Sequence, residues 1–158
     1  MTMPIARDAF IRFLINAKRQ TYASQGDEVT VTSLLAGSRQ LEYREGNLLY
    51  RDIYFGSAFF VGQETVYYDA APIWAMGYAG GITSTAVPTA QVYEFLRAAL
   101  RQVTAERPYR GPNVFRERDY VYINETEGDV ERFWGVETIT YKGQQIYQLR
   151  YAGGLLRL

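Results

Sequence analysis

The chain has 158 residues, with 17 Lys plus Arg against 17 Asp plus Glu, no His, no Cys, 47% hydrophobic residues and 14 Tyr. A chain of this length buries enough apolar surface to fold as one soluble domain without disulfides or a structural metal. The missing His and Cys exclude thiol nucleophiles, Cys/His zinc sites and Ser-His-Asp catalysis, and a net charge of zero argues against a nucleic-acid footprint.

Met1 to Asp8 lack a basic segment followed by a long apolar run, so no secretory signal is expected. No apolar stretch reaches membrane-spanning length, and a cytoplasmic location is expected. A first helix is predicted from Ile5 to Ala23. Ala6, Phe10, Phe13, Leu14 and Ala17 share one apolar face, while Arg12, Lys18 and Arg19 take the outer side. The segment Gly26 to Gln40 contains the strand-like Glu28-Val29-Thr30-Val31-Thr32 and reads as a lid or an extra edge strand. Three strands are predicted next, at Leu48 to Tyr54, Phe59 to Tyr68 and Ile73 to Ala79. Pro88 and Thr89 open a second helix that buries Val92, Phe95, Leu96, Ala99, Leu100 and Val103. Three more strands follow at Tyr120 to Thr126, Arg132 to Tyr141 and Ile146 to Ala152. Gly80-Gly81 and Gly153-Gly154 are expected to end the two strand runs at positive φ.

The two halves resemble one another. Residues 60–82 align without gaps to 133–155, with ten of 23 positions identical, among them Phe60/Phe133, Gly62/Gly135, Glu64/Glu137 and Tyr78/Tyr151. Tyr50 and Tyr122 match with one residue fewer in the spacing, and Phe13-Leu14 echoes Phe95-Leu96. These matches predict an α+β fold built by internal duplication. Each repeat, about 5–82 and 88–156, would be a helix plus a three-stranded antiparallel meander. Together they would form a single domain, 1–158, of two helices packed on a curved antiparallel sheet. On the middle strands the face Phe60, Gly62, Glu64, Val66 is retained in the second copy and is expected to point inward, while Phe59, Val61, Gln63, Tyr67 has drifted to Arg132, Trp134, Val136, Thr140.

Glu64 and Glu137 are the sharpest chemical feature, because an acid on an apolar strand face must be paired or protonated. Three readings follow: salt bridges to Arg44, Arg51, Arg116 or Arg150 or bonds to Tyr hydroxyls, acids in a ligand cleft between the halves, or a catalytic carboxylate pair. The aromatic residues Trp74, Tyr78, Tyr147 and Tyr151, with Tyr50 and Tyr122, read either as core or as the wall of that cleft. Trp74 and Trp134 are preferred as ligand contacts because they break the symmetry of the halves. Glycine-rich phosphate loops, dinucleotide fingerprints, nucleophile elbows and acidic metal loops are missing from the sequence. No catalytic or metal-ligating residue is therefore assigned.

The motifs Tyr43-Arg44-Glu45-Gly46, Leu49-Tyr50-Arg51-Asp52, Gly62-Gln63-Glu64, Pro72-Ile73-Trp74-Ala75-Met76 and Arg107-Pro108-Tyr109-Arg110-Gly111-Pro112 resemble an uncharacterised bacterial domain family. That family occurs alone or behind Xre-type helix-turn-helix segments, and the similarity runs from Phe10 to Leu156. No helix-turn-helix precedes the first meander, so direct DNA binding is not expected. More remotely the plan resembles effector-binding domains of drug-responsive regulators and small haem-binding proteins. Effector-binding domains place an acid among aromatics in the groove between halves, an arrangement the resemblance implies for Glu64, Glu137, Trp74 and Tyr78. With the reading of the residues, a non-enzymatic protein is expected that binds a small, partly aromatic or cationic organic molecule between the repeats, through these four and Tyr50, Tyr122 and Trp134. No cofactor is required, and tyrosine-ligated haem and a homodimeric interaction domain are the alternatives.

Overall fold

A computed structural model describes residues 3–23 and 30–157. Helix α1 spans Arg7–Gln20 and helix α2 Thr89–Leu100. The strands are β1 (Thr30–Val31), β2 (Arg39–Glu45), β3 (Leu48–Gly56), β4 (Phe59–Tyr68), β5 (Ala71–Ile82), β6 (Val114–Glu117), β7 (Tyr120–Asp129), β8 (Arg132–Tyr141) and β9 (Gln144–Leu155). All nine join one antiparallel sheet in the order β1-β2-β3-β4-β5-β9-β8-β7-β6.

This single nine-stranded sheet overturns the expected α+β fold of two repeats, each a helix plus a three-stranded meander. Strand dominates the chain, and five strands follow α1 while four follow α2. The strands missing from the expectation are β2 and β6. Their sequences, RQLEYRE and VFRE, carry too many charges to show apolar alternation, and they are held by pairing to β3 and β7. Of the strand-like segment at 28–32, Thr30 and Val31 form the edge strand β1, and residues 28 and 29 lie outside the described residues. Gly80-Gly81 and Gly153-Gly154 do not end their strands, which run on to Ile82 and Leu155. Gly81 (φ 152°) and Gly154 (φ 155°) sit where a neighbouring turn closes in. An added Cβ would meet the Ala58 carbonyl oxygen at 2.0 Å or that of Glu131 at 2.2 Å.

Pairing of β5 with β9 places Tyr78 directly opposite Tyr151, with Met76 opposite Gly153 and Gly80 opposite Leu149. Residues aligned by the self-similarity therefore exchange places across this seam. Both hairpins flanking it carry a bulge at aligned positions, Val66/Tyr67 and Ile139/Thr140. Successive strand residues alternate between the two faces. The inner face carries Tyr50, Phe60, Val66, Trp74 and Met76 from one side of the seam and Tyr122, Phe133, Ile139, Tyr147 and Leu149 from the other, all buried. Helix α1 packs on β2 and β3 and α2 on β7. They cover this face with Phe10, Phe13, Leu14, Ala17, Val92, Phe95, Leu96 and Ala99.

Candidate functional site

The inner face is not wholly apolar. Asp52 on β3 and Glu64 on β4 are register partners, buried side by side, and Tyr78 on β5 donates its hydroxyl proton to Asp52 Oδ1 at 2.6 Å. Lys18 Nζ reaches Glu64 Oε2 at 2.5 Å and lies 5.9 Å from the ring centres of both Tyr50 and Trp74. Tyr50 is completely buried beside Glu64 and Asp52. Trp74 donates Nε1–H to the Val130 carbonyl at 3.0 Å and stacks on Phe133.

Across the seam the corresponding acid is better supplied. Arg110 donates Nε to Glu137 Oε2 at 3.1 Å and a terminal nitrogen to Oε1 at 2.5 Å. Tyr122 donates to Oε2 at 2.6 Å and Tyr147 to Oε1 at 2.7 Å. Four donors thus saturate one buried carboxylate, the condition under which a buried ion pair is tolerated. Asn124 stands where the first half has Asp52, and its Oδ1 accepts from Tyr151 at 2.7 Å. The second half is therefore charge-balanced by Arg110 and Glu137. The first half holds two carboxylates against one ammonium.

The electrostatics follow from that count. Burial and the neighbouring Glu64 push the Asp52 carboxyl up to about 7, with the Tyr78 hydrogen bond opposing. Burial lowers the Lys18 ammonium, while Glu64 acts to raise it. Burial works against the Arg110 charge, but Glu137 together with Tyr147 and Tyr22 more than offsets it and holds the guanidinium protonated. Burial, reinforced by the adjacent acids, raises Tyr50, Tyr78, Tyr122 and Tyr147 well above the ordinary phenol range, so all four stay protonated.

These contacts correct two sequence expectations. Lys18 is not on the outer side of its helix but buried, four residues after Leu14 on the same apolar stripe. Neither glutamate pairs with Arg44, Arg51, Arg116 or Arg150. The strand registers put all four on the outer face, where Arg51 bonds Glu42 at 2.9 Å, and the glutamates point inward. The cations that do the work come from α1 and from the 107–112 loop. Parity along the strands excludes the four arginines, and the i, i+4 spacing from Leu14 marks Lys18. Nothing in the composition of the loop singles out Arg110.

Six of the seven sequence-derived site residues, Glu64, Glu137, Trp74, Tyr78, Tyr50 and Tyr122, are brought together on the inner face and buried. Trp134 is not with them. It lies on the opposite face of the sheet, 49% exposed. Between the two ion pairs, Lys18, Tyr22, Glu64, Tyr109 and Arg110 enclose a void of only about 10 Å³, the space of one water molecule.

A larger cavity, about 260 Å³, opens on the other side of Tyr22. It is lined by Tyr22, Arg39, Tyr54, Phe60, Tyr78, Tyr93 and Arg97 together with Gly56 and Ser57 of the β3–β4 turn. Tyr93 and Arg97 are one turn apart on α2, and Tyr93 donates its hydroxyl to the Ser57 carbonyl. Burial pushes the Tyr93 phenol up to about 12 and raises Tyr22 further. Arg97 Nε is buried without a hydrogen-bond partner among the described residues. Among the described residues the lining holds two guanidinium groups and no carboxylate. Tyr78, shared with the Asp52 network, and Gly62 explain each other here. A Cβ at Gly62 would lie 2.3 Å from the Tyr78 hydroxyl, and Gly135 makes the same room for Tyr151.

A family model described as a domain of unknown function, DUF5680, matches residues 52–156. The chain belongs to the DUF5680 family. The match runs from Asp52 through the last strand, so it includes both glutamates, Arg110 and Arg97 of this DUF5680 domain, while Lys18, Tyr22 and Arg39 lie upstream of it. No curated protein and no solved structure matches the chain. No helix among the described residues is long and apolar enough to cross a membrane.

Proposed function

We propose that this DUF5680 domain binds a small organic anion with a planar apolar portion in the cavity between α2 and the β3–β4 turn. The observation that carries the reading is the buried Nε of Arg97, unpartnered among the described residues, in a tyrosine-walled cavity whose described lining contains a second guanidinium, Arg39, and no acid. A buried cationic donor without a partner costs free energy, and a carboxylate would restore its bond. The aromatic walls supply apolar area, and the Tyr22 phenol, kept protonated by burial, supplies a further donor. The sign of the ligand is thus opposite to the cation expected from Glu64 and Glu137, since Lys18 and Arg110 already neutralise those acids. Tyrosine-ligated haem has less support, because the hydroxyls of Tyr78, Tyr122 and Tyr147 are engaged by carboxylates.

A thermal-shift series with aromatic monocarboxylates, their neutral amides and aromatic ammonium compounds tests this. Saturation at about 100 times Kd adds roughly 2.7 kcal/mol, a rise of several degrees in a domain of this size. The carboxylates are expected to protect, the amides and cations not, and Arg97→Gln and the exposed Arg39→Ala to remove the protection. Equal protection by the amides, or full protection of both variants, refutes the reading.

A further inference from the structure

The outer face of the sheet breaks the usual rule for an antiparallel sheet covered on one side, which is polar outward. Phe59 is 65% exposed, Val61 47% and Trp134 49%, and Phe55 and Ile123 are also exposed. Ala75, Gly77, Ala79 and Ala152 keep the relief low along much of the β5–β9 seam, where Gln148 and Arg150 are the long outward side chains, Arg150 paired across the seam with Ala79. The connection between β1 and β2 arches over one wing. With Leu34 and Leu35 as its rim, it forms a groove of about 440 Å³ against Arg51, Ile53, Phe55, Val61 and Gln63. Trp134 stands on the other wing. Reading the registers across the sheet, Ile53, Gln63, Gly77, Ala152 and Trp134 lie in one row. Strands β4 and β8 are each second from the seam, on opposite sides.

We propose that two copies of this chain stack by their outer sheet faces about a twofold axis parallel to the strands along the β5–β9 seam. Such an axis keeps rows in register and lays β4 of one copy on β8 of the other. Each Trp134 then enters the partner's groove over Gln63, between Leu34/Leu35 and Phe55/Val61. The contact is isologous, so the tryptophan is seated twice. The axis lays Arg150 of each copy over the small Ala79 of the other, and the remaining small residues of the seam let the two faces approach to the ~10 Å spacing of packed sheets. The area is sufficient. Six central strands at ~4.8 Å spacing and ~3.3 Å per residue present roughly 800 Å², the share of each partner in an interface of standard size. A large aromatic anchor in an apolar groove is the kind of residue that dominates such interfaces.

Sedimentation equilibrium on the wild type, Trp134→Lys and Val61→Lys tests the proposal. Both residues point outward, so circular dichroism is expected to be unchanged in the variants. The wild type is expected to sediment at twice the chain mass at micromolar concentration and both variants at the chain mass. Trp74 is completely buried, so Trp134 supplies the environment-sensitive part of the fluorescence, and its emission is expected to shift to the red when the wild type is diluted. A monomeric wild type, or a dimer that persists in either variant, as an edge-to-edge dimer would, overturns the proposal. A dimer whose emission does not move on dilution overturns the seating of Trp134.

Discussion

The excess acid of the first half predicts an unusual pH dependence of stability. Asp52 takes up its proton in the folded state at about pH 7 but in the unfolded chain near its ordinary value of 3.8. Between those values the folded state binds the extra proton. Stability contributed by Asp52 is therefore complete at the acid end and falls as the pH rises from about 4 through 7. At 1.36 kcal/mol per pH unit the whole change is at most about 4 kcal/mol, on the order of 10 °C in midpoint for a domain of this size. No His, the side chain that ordinarily titrates there, contributes to this window. Asp52→Asn places in the first half the residue that the second half already uses, and Asn124 shows that an amide oxygen accepts the tyrosine hydroxyl equally well. Thermal unfolding measured from about pH 5.5 to 8.5 is expected to show the wild type losing stability and Asp52→Asn holding it, the variant being the more stable at the alkaline end. A wild-type midpoint that is flat or rises across this range, or a variant that keeps the decline, refutes the reasoning.

The other expectations concern the scaffold. Glu137→Gln leaves the Arg110 guanidinium buried without its counter-charge and is expected to cost about 3–5 kcal/mol in chemical denaturation. Glu64→Gln removes one of the two first-half acids and relieves Asp52, so its loss near neutral pH should be clearly smaller; equal losses would refute the asymmetry. Gly62→Ala and Gly135→Ala each drive a Cβ into the ring of Tyr78 or Tyr151 and are expected to cost about 1–3 kcal/mol, read as a lower denaturation midpoint at unchanged slope.

Much of this arrangement was written in the alternation of strand residues. The retained face Phe60, Glu64, Val66 and Phe133, Glu137, Ile139 is the buried one, and β4 and β8 have the bounds expected from sequence. Periodicity is least informative where a strand is short, charged and at an edge, and so β2 and β6 escaped it. Their place depends on a neighbour that accepts their backbone groups and not on their own side chains. The partners of the glutamates were hidden for another reason. A buried cation is recognised by what surrounds it, and the helix-to-strand contact of Lys18 with Glu64 spans 46 residues of sequence. Arg97 carries no sequence signal at all. It reads as a solvated helix charge until α2 is laid beside the β3–β4 turn.

The β5–β9 seam has a mechanical meaning. Nine residues of β5, Trp74 to Ile82, are paired to β9, so the two halves are one hydrogen-bonded sheet and not two bodies with a hinge between them. Separating them would strip a central ladder of its partners, at a cost comparable to unfolding the domain. A ligand bound in the cavity beside Arg97, as proposed, would enter past the exposed Arg39 and the Gly56-Ser57 turn, while the sheet beneath stays closed. Amide protons along the seam should be the last in the protein to exchange, and those of the Gly56-Ser57 turn among the first.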